Sequence, residues 1–198
     1  MFRIVAVLAL LVFALAGCAG EEAPEEPGGE EQYGVMGPEI PADAPRGTAL
    51  EWLPAADGLA ADWRQDAELY SVASLASVDA GGTAQGWLYS YVSESAGAVA
   101  SVAVIGGRPD LDPESGIQQL PEPDVEHIRS NALPAPEDLV DSPEALEQSE
   151  DVGPHLRENP GAEAAAGLDS FSGGEPVWIL STTRDGERLE ERVPAAAG

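Results

Sequence analysis

The apolar positions of this chain fall into blocks of different period. The first block, Ile4 to Leu15, is continuous and follows one positive charge at Arg3. It is too short to span a bilayer, which takes roughly 20 apolar residues, and has the length of the apolar core of a secretory signal. From Ala19 to Gly47 (AGEEAPEEPGGEEQYGVMGPEIPADAPRG) large apolar residues are scarce and Glu, Pro and Gly dominate. Such a stretch cannot bury enough apolar surface to offset chain entropy, so a disordered tether is expected. From Thr48 a helical period takes over, with Leu50, Leu53, Ala56, Ala60 and Trp63 on one face. Thr48 and Glu51 fit a capping box. Pro54 lies inside this run, so the helix either kinks there or begins there with the proline as its first residue.

Runs rich in β-branched and aromatic residues follow at Leu69 to Val78, Gly86 to Ser93 and Ala98 to Ile105, separated by Asp79-Ala80-Gly81-Gly82 and Glu94-Ser95-Ala96-Gly97. The first also repeats at Leu69, Val72, Leu75 and Val78, which fits a helix; a strand is the expectation. Gly106 to Asp138 is Pro-rich and acidic. Ile117, Leu120, Val125 and Ile128 supply local packing in it, so an ordered crossover is expected rather than a free linker. A second helix opens at Asp141-Ser142-Pro143, an N-cap followed by proline in the first turn, and should end near Gly153-Pro154. Strands are then expected at Ala164 to Phe171, Pro176 to Thr183 and Arg188 to Val193. Ser172-Gly173-Gly174-Glu175 and Arg184-Asp185-Gly186-Glu187 separate them, the second with the Asp-Gly of a tight hairpin.

The same order thus occurs twice: helix, strand, Gly-Gly turn, Trp-bearing strand, last strand. Trp87-Leu88-Tyr89-Ser90 lies over Trp178-Ile179-Leu180-Ser181, and Ala49-Leu50 over Ala145-Leu146. The expected fold class is α+β, two repeats of one helix packed on a small antiparallel sheet after a disordered N-terminal tether. Residues 48–107 form the first repeat, 108–140 the Pro-rich connector and 141–198 the second repeat. The second half, with DSPEAL opening its helix and PVWILSTTRDGERLEERVPAAAG closing the chain, resembles a PepSY-type module. The region from Thr48 to Gly198 resembles tandem PepSY-like secreted or lipidated proteins, also likened to the β-lactamase-inhibitor-protein fold. The first half departs from that pattern at Pro54 and in its long run before Trp87. The resemblance implies an extracytoplasmic module associated with peptidase inhibition or ligand binding.

Leu15-Ala16-Gly17-Cys18 closes the leading apolar block and resembles a bacterial lipobox, in which cleavage precedes a diacylated cysteine. Residues 1–17 are therefore the expected signal peptide, Cys18 the lipid attachment site and 18–47 the lipidated linker. Ala19 rather than Asp after the cysteine, by resemblance to known sorting rules, points to the outer membrane where the cell has one. Cys18 is the only cysteine, so no disulfide can staple the folded part.

Charge narrows the partners. The chain carries 9 basic residues, all arginine, against 36 acidic ones, for a net charge of −27. Nucleic acid is excluded as a partner, because a phosphate backbone is bound through cationic patches. An anionic membrane surface would repel the chain, which leaves the lipid as its hold on the membrane. The carboxylates lack the spacing of a calcium loop: Asp110-Leu111-Asp112 with Glu114 has neither the turn glycine nor the closing glutamate. A solvated acidic coat accounts for them.

Candidate chemistry is sparse. His127 and His155 have no motif around them, and with Cys18 acylated no metal set is expected. Gly81-Gly82, Gly106-Gly107 and Gly173-Gly174 lack the Lys-Ser/Thr of a phosphate loop, and no cofactor is implied. Arg184, Arg188 and Arg192 stand among Glu187, Glu190 and Glu191, as in surface ion pairs. Trp52, Trp63, Trp87, Trp178, Tyr89, Tyr91 and Phe171 suit the core of a helix-on-sheet domain, yet Trp87, Tyr89 and Tyr91 share one strand face. If the helix leaves that face open, it is the candidate binding surface. The expected function is a membrane-anchored, non-catalytic binding or peptidase-regulating module with an envelope protein or peptidase as partner. The alternative is an envelope hydrolase using paired carboxylates.

Overall fold

Helix α1 (Ala49–Trp63) starts where its capping box places it. Thr48 Oγ1 accepts from the Glu51 amide at 3.1 Å, and a Glu51 carboxylate oxygen accepts from the Thr48 amide at 3.3 Å. The helix begins at Ala49 rather than at Pro54 and continues through the proline. Pro54 removes one backbone hydrogen bond, but Trp52, Leu53, Ala56 and Ala60 are buried on either side of it and hold the helix against the sheet.

The computed structural model describes residues 38–170 and 174–197. The expected signal peptide, Cys18, the first part of the tether and Phe171 to Gly173 lie outside the described residues. Within them the fold is α+β. Strands β1 (Glu68–Ser74), β2 (Gly86–Ser93), β3 (Ala98–Ile105), β4 (Arg108–Asp110), β5 (Ile117–Gln119), β6 (Ala164–Asp169), β7 (Val177–Arg184) and β8 (Glu187–Pro194) form one 8-stranded sheet. Its order is β4-β3-β2-β1-β6-β7-β8, with β5 also paired to β3, and all pairs are antiparallel. The strand expected from Leu69 to Val78 is found only as far as Ser74, where β1 ends. Asp185 and Gly186, at φ 55° and 83°, make the two-residue turn between β7 and β8, the twist-matched hairpin connection that Asp-Gly favours.

Strands from the two parts of the chain meet at the middle of the sheet, where Ser71, Val72 and Ala73 of β1 pair with Asp169, Leu168 and Gly167 of β6. One core therefore serves the whole inner face. Alternation along the strands turns Val72, Trp87, Tyr89, Tyr91, Val102, Val104, Leu168, Trp178, Leu180 and Val193 into it. Trp87 and Trp178 meet edge to face, with ring centroids 6.2 Å apart. Each lies one residue inside its strand, and each indole donates to the carbonyl just before a helix N-cap: Trp87 to Gly47 at 3.0 Å and Trp178 to Val140 at 2.8 Å.

The second helical segment differs from expectation. It does not end at Gly153-Pro154 but breaks earlier, giving α3 (Ser142–Gln148) and α4 (Val152–Glu158). Pro154 sits in the first turn of α4, where a missing N–H costs nothing. The restart is held from the sheet. The Glu191 carboxylate on β8 accepts from Ser149 Oγ at 2.5 Å and from the amides of Glu150, Asp151 and Val152 at 2.7, 3.1 and 3.2 Å. Burial raises the proton affinity of Glu191, but these hydrogen bonds together outweigh it and leave the carboxyl below its ordinary value.

The N-termini of α1 and α3 abut. Asp141, the N-cap of α3, accepts from the Ser142 amide at 2.7 Å, the Leu50 amide at 3.0 Å and Thr48 Oγ1 at 2.5 Å. One carboxylate thus neutralises two positive helix ends. Ser142 Oγ donates to the Gly82 carbonyl at 2.7 Å. Gly82, at φ 76°, approaches the Pro143 backbone so closely that a Cβ would lie 2.5 Å from its nitrogen.

Residues 108–140 are ordered, as anticipated, and contain β4, β5, helix α2 (Glu122–Arg129) and a 3-10 turn at Pro136–Asp138. Helix α2 lies on the outer face of the sheet, where Val125 packs with Val92 and Val99, bordered by Tyr70, Leu120 and Ile128. The expectation of a disordered tether as far as Gly47 is corrected for residues 38–47. Gly47 and Ala84 exchange two backbone hydrogen bonds of 3.0 Å, Arg46 pairs with Asp79 at 2.9 Å, and Gln85 Nε2 donates to the Ala42 carbonyl at 2.9 Å. These partners lie some forty residues further along the chain, and for that reason composition alone misses them.

Candidate functional site

The proposed aromatic surface is core. Trp87 and Tyr89 are 0% exposed and Tyr91 is 2% exposed, which corrects the expectation that they form a binding face. Helix α1 lies over them and satisfies their polar tips: Tyr89 donates to the Ala49 carbonyl at 2.6 Å and Tyr91 to Asp57 Oδ1 at 2.7 Å. Aromatic bodies are buried while their hydroxyls find partners. Burial pushes both phenols well above their ordinary value. It also raises the Asp57 carboxyl, more than the Tyr91 hydrogen bond lowers it.

The open surface is on the other side of the sheet. Helix α2 covers the outward side chains of β2 and β3, but no described helix covers those of β6, β7 and β8. Ala73 on β1 and Ala165 on β6 are exposed there, with Gly167, Val177, Ile179 and Ser181 half-buried. Arg188, Glu190 and Arg192 line the β8 rim, and Arg188 pairs with Glu190 at 2.9 Å.

Asp169 stands in this face, paired through the backbone with Ser71 and Val177. It is half-buried, and burial raises its carboxyl despite a 2.6 Å hydrogen bond from the Ser170 amide. The ion pairs found among the described residues, Arg46–Asp79, Arg129–Glu68, Arg129–Glu94 and Arg188–Glu190, leave it out. Its neighbour Tyr70 is raised first by burial, with the Asp169 charge adding to this and a Ser90 hydrogen bond opposing it. Sequence reasoning missed Asp169. The available signal was an acid at an outward position of a strand otherwise made of Ala, Gly and Leu.

The other sequence candidates do not converge. His127 is on α2 and His155 on α4, which pack on opposite faces of the sheet. Asp112 accepts from the Glu114 amide at 2.8 Å and Ser115 Oγ at 2.5 Å, closing a turn. Among the described residues no three His, Cys, Asp or Glu side chains gather as a metal site. Asp57 and Asp169, both with raised proton affinity, lie on opposite faces of the sheet and cannot flank one bond. A cleft of about 580 Å³ between α2 and the β2–β3 turn is lined by Glu94, Gly97, Leu120, Glu122, Val125, Glu126 and Arg129. Arg129 already bridges Glu68 and Glu94 there. No described helix is long and apolar enough to cross a membrane.

Comparison of the chain with models of protein families, with curated proteins and with solved structures found no match.

Proposed function

We propose that this protein is a lipid-anchored, extracytoplasmic binding module of the cell envelope without catalytic activity of its own, regulating or accompanying an envelope protein such as a peptidase. The observation that carries the reading is the outer face of β6, β7 and β8, which no described helix covers, beside the part of the sheet that α2 covers. The sequence around Cys18 supports anchoring, and Ala19 after it supports an outer-membrane destination in a cell with two membranes.

The module is read as a duplicated PepSY-like unit. Trp87 on β2 and Trp178 on β7, each one strand out from the central β1–β6 pair and each bonded to the carbonyl before a helix N-cap, support this reading. Within the sheet order, the run β3-β2-β1-β6-β7-β8 is symmetric about the β1–β6 pair, which supports it as well.

Mass spectrometry of the purified N-terminus tests the anchor. A diacylated Cys18 is expected, and an unmodified Cys18 or retained residues 1–17 would refute it. Crosslinking of the lipidated protein in its own membrane tests the binding role. Turnover of a peptide or glycan by the purified domain, lost on replacing Asp57 or Asp169, would overturn it.

A further inference from the structure

A carboxylate drawn partly out of water is costly unless a cation answers it. Asp169 is in that position, and among the described residues none of the ion pairs includes it. Around it Ala73 and Ala165 are exposed and Gly167 has no side chain, so a partner's side chain can approach the sheet closely. Val177 and Ile179 add apolar contact beside it, in the arrangement of an interface core with one polar anchor.

The occupant follows from charge. A second copy of this chain also carries −27 and would be repelled, as would an anionic lipid surface. A basic protein is attracted at long range and meets on arrival a half-buried carboxylate that none of the ion pairs among the described residues includes.

We propose that this bare half of the outer face, made by Ala73, Ala165, Gly167, Asp169, Val177 and Ile179, is the docking surface for a protein partner that seats an arginine or lysine side chain on Asp169. The proposal rests on the binding-module reading above and adds the surface and the partner's chemistry.

The test places a photo-crosslinking residue at Ala73 or Ala165 of the full-length protein in its own membrane, with Asp62 on the exposed side of α1 as the control position. Mass spectrometry then maps the crosslinked peptide. Both sheet positions are expected to capture the same protein through a segment containing arginine or lysine. Asp169→Asn is expected to lower the yield from Ala73 at least about tenfold, as loss of one member of a desolvated charge pair should. Ala165→Arg, on an exposed residue that leaves folding intact, should do the same by repulsion and bulk; thermal melting of both variants checks the fold. Capture from Asp62 but from neither sheet position overturns this surface and leaves the binding module standing. No adduct from any position overturns both. An adduct with a second copy or with lipid, or a yield that Asp169→Asn leaves unchanged, overturns the proposal alone.

Discussion

Strands β1 to β3 carry one uninterrupted helix, α1, on their inner face and α2 on their outer face. Strands β6 to β8 carry the broken pair α3 and α4 within and no described helix without. The outward residues explain the second contrast. Val92 and Val99 pack under Val125 of α2, whereas on the other half Ala165, Gly167, Ser181 and the charged positions of β8 tolerate water and only Val177 and Ile179 offer large apolar groups. The inward contrast has another cause. Helix α1 carries its own capping box, to which Asp141 adds an acceptor, while the start of α4 depends on Glu191, a carboxylate supplied by β8. A helix with its own start signal forms wherever its apolar stripe can dock, but a helix started from another strand exists only once the sheet is built.

Replacing either tryptophan should show whether the halves are one cooperative unit. Trp87→Ala and Trp178→Ala are each expected to cost about 3–5 kcal/mol from the cavity left behind; the second also takes the indole donor from the Val140 carbonyl, whereas the Gly47 carbonyl keeps the Ala84 amide. Urea unfolding followed by circular dichroism should show one transition displaced by both; two transitions would separate the halves. The Asp141 junction ranks next. Asp141→Ala strips acceptors from Leu50, Thr48 and Ser142 together and should cost about 2 kcal/mol, measured the same way. An effect confined to α3, with no change in amide exchange at the start of α1, would break the idea that one carboxylate serves both helices.

Glu191→Ala sharpens the contrast between the helices. A loss of about 1–2 kcal/mol, typical of a lost N-cap, should appear with faster amide exchange across Val152–Glu158 and none across α1. The sign with pH follows from linkage. The folded-state carboxyl is depressed, so its stabilisation is full above its ordinary value and is lost as pH falls through the lower folded value. The gap between variant and native protein should therefore close in acid. Asp66 behaves alike. Hydrogen bonds from the Ser95 amide and hydroxyl, and from Ser93, hold it at about 2, so its contribution fades from roughly pH 4 down to about 2.

The smallest effect is expected at Asp169. Its carboxyl is raised, so the folded state favours the protonated form and gains stability as pH falls through that raised value toward the ordinary one. Asp169→Asn should cost nothing at neutral pH and add at most a few tenths of a kcal/mol after solvent screening, a difference that disappears in acid. A clear loss of stability would make Asp169 a structural residue and set the two halves on equal terms.

Much of this was legible in the chain. The runs around Trp87 and Trp178, the Asp185-Gly186 turn and the Thr48–Glu51 box each depend on residues a few positions apart, and such local preferences act before any distant contact forms. Alternation likewise placed Trp87, Tyr89 and Tyr91 on one face. It could not say which face α1 would cover, because both faces of a strand obey the same period. The break at Ser149 is set by Glu191, 42 residues away, and the pinning of Arg46 by Asp79 and Thr83 is equally non-local. The meeting of β1 with β6 joined two expected small sheets into one and set Asp169 in an outward face that no described helix covers. Local propensity and period are properties of short segments, whereas cover, junctions and desolvation are properties of surfaces that exist only when distant segments meet.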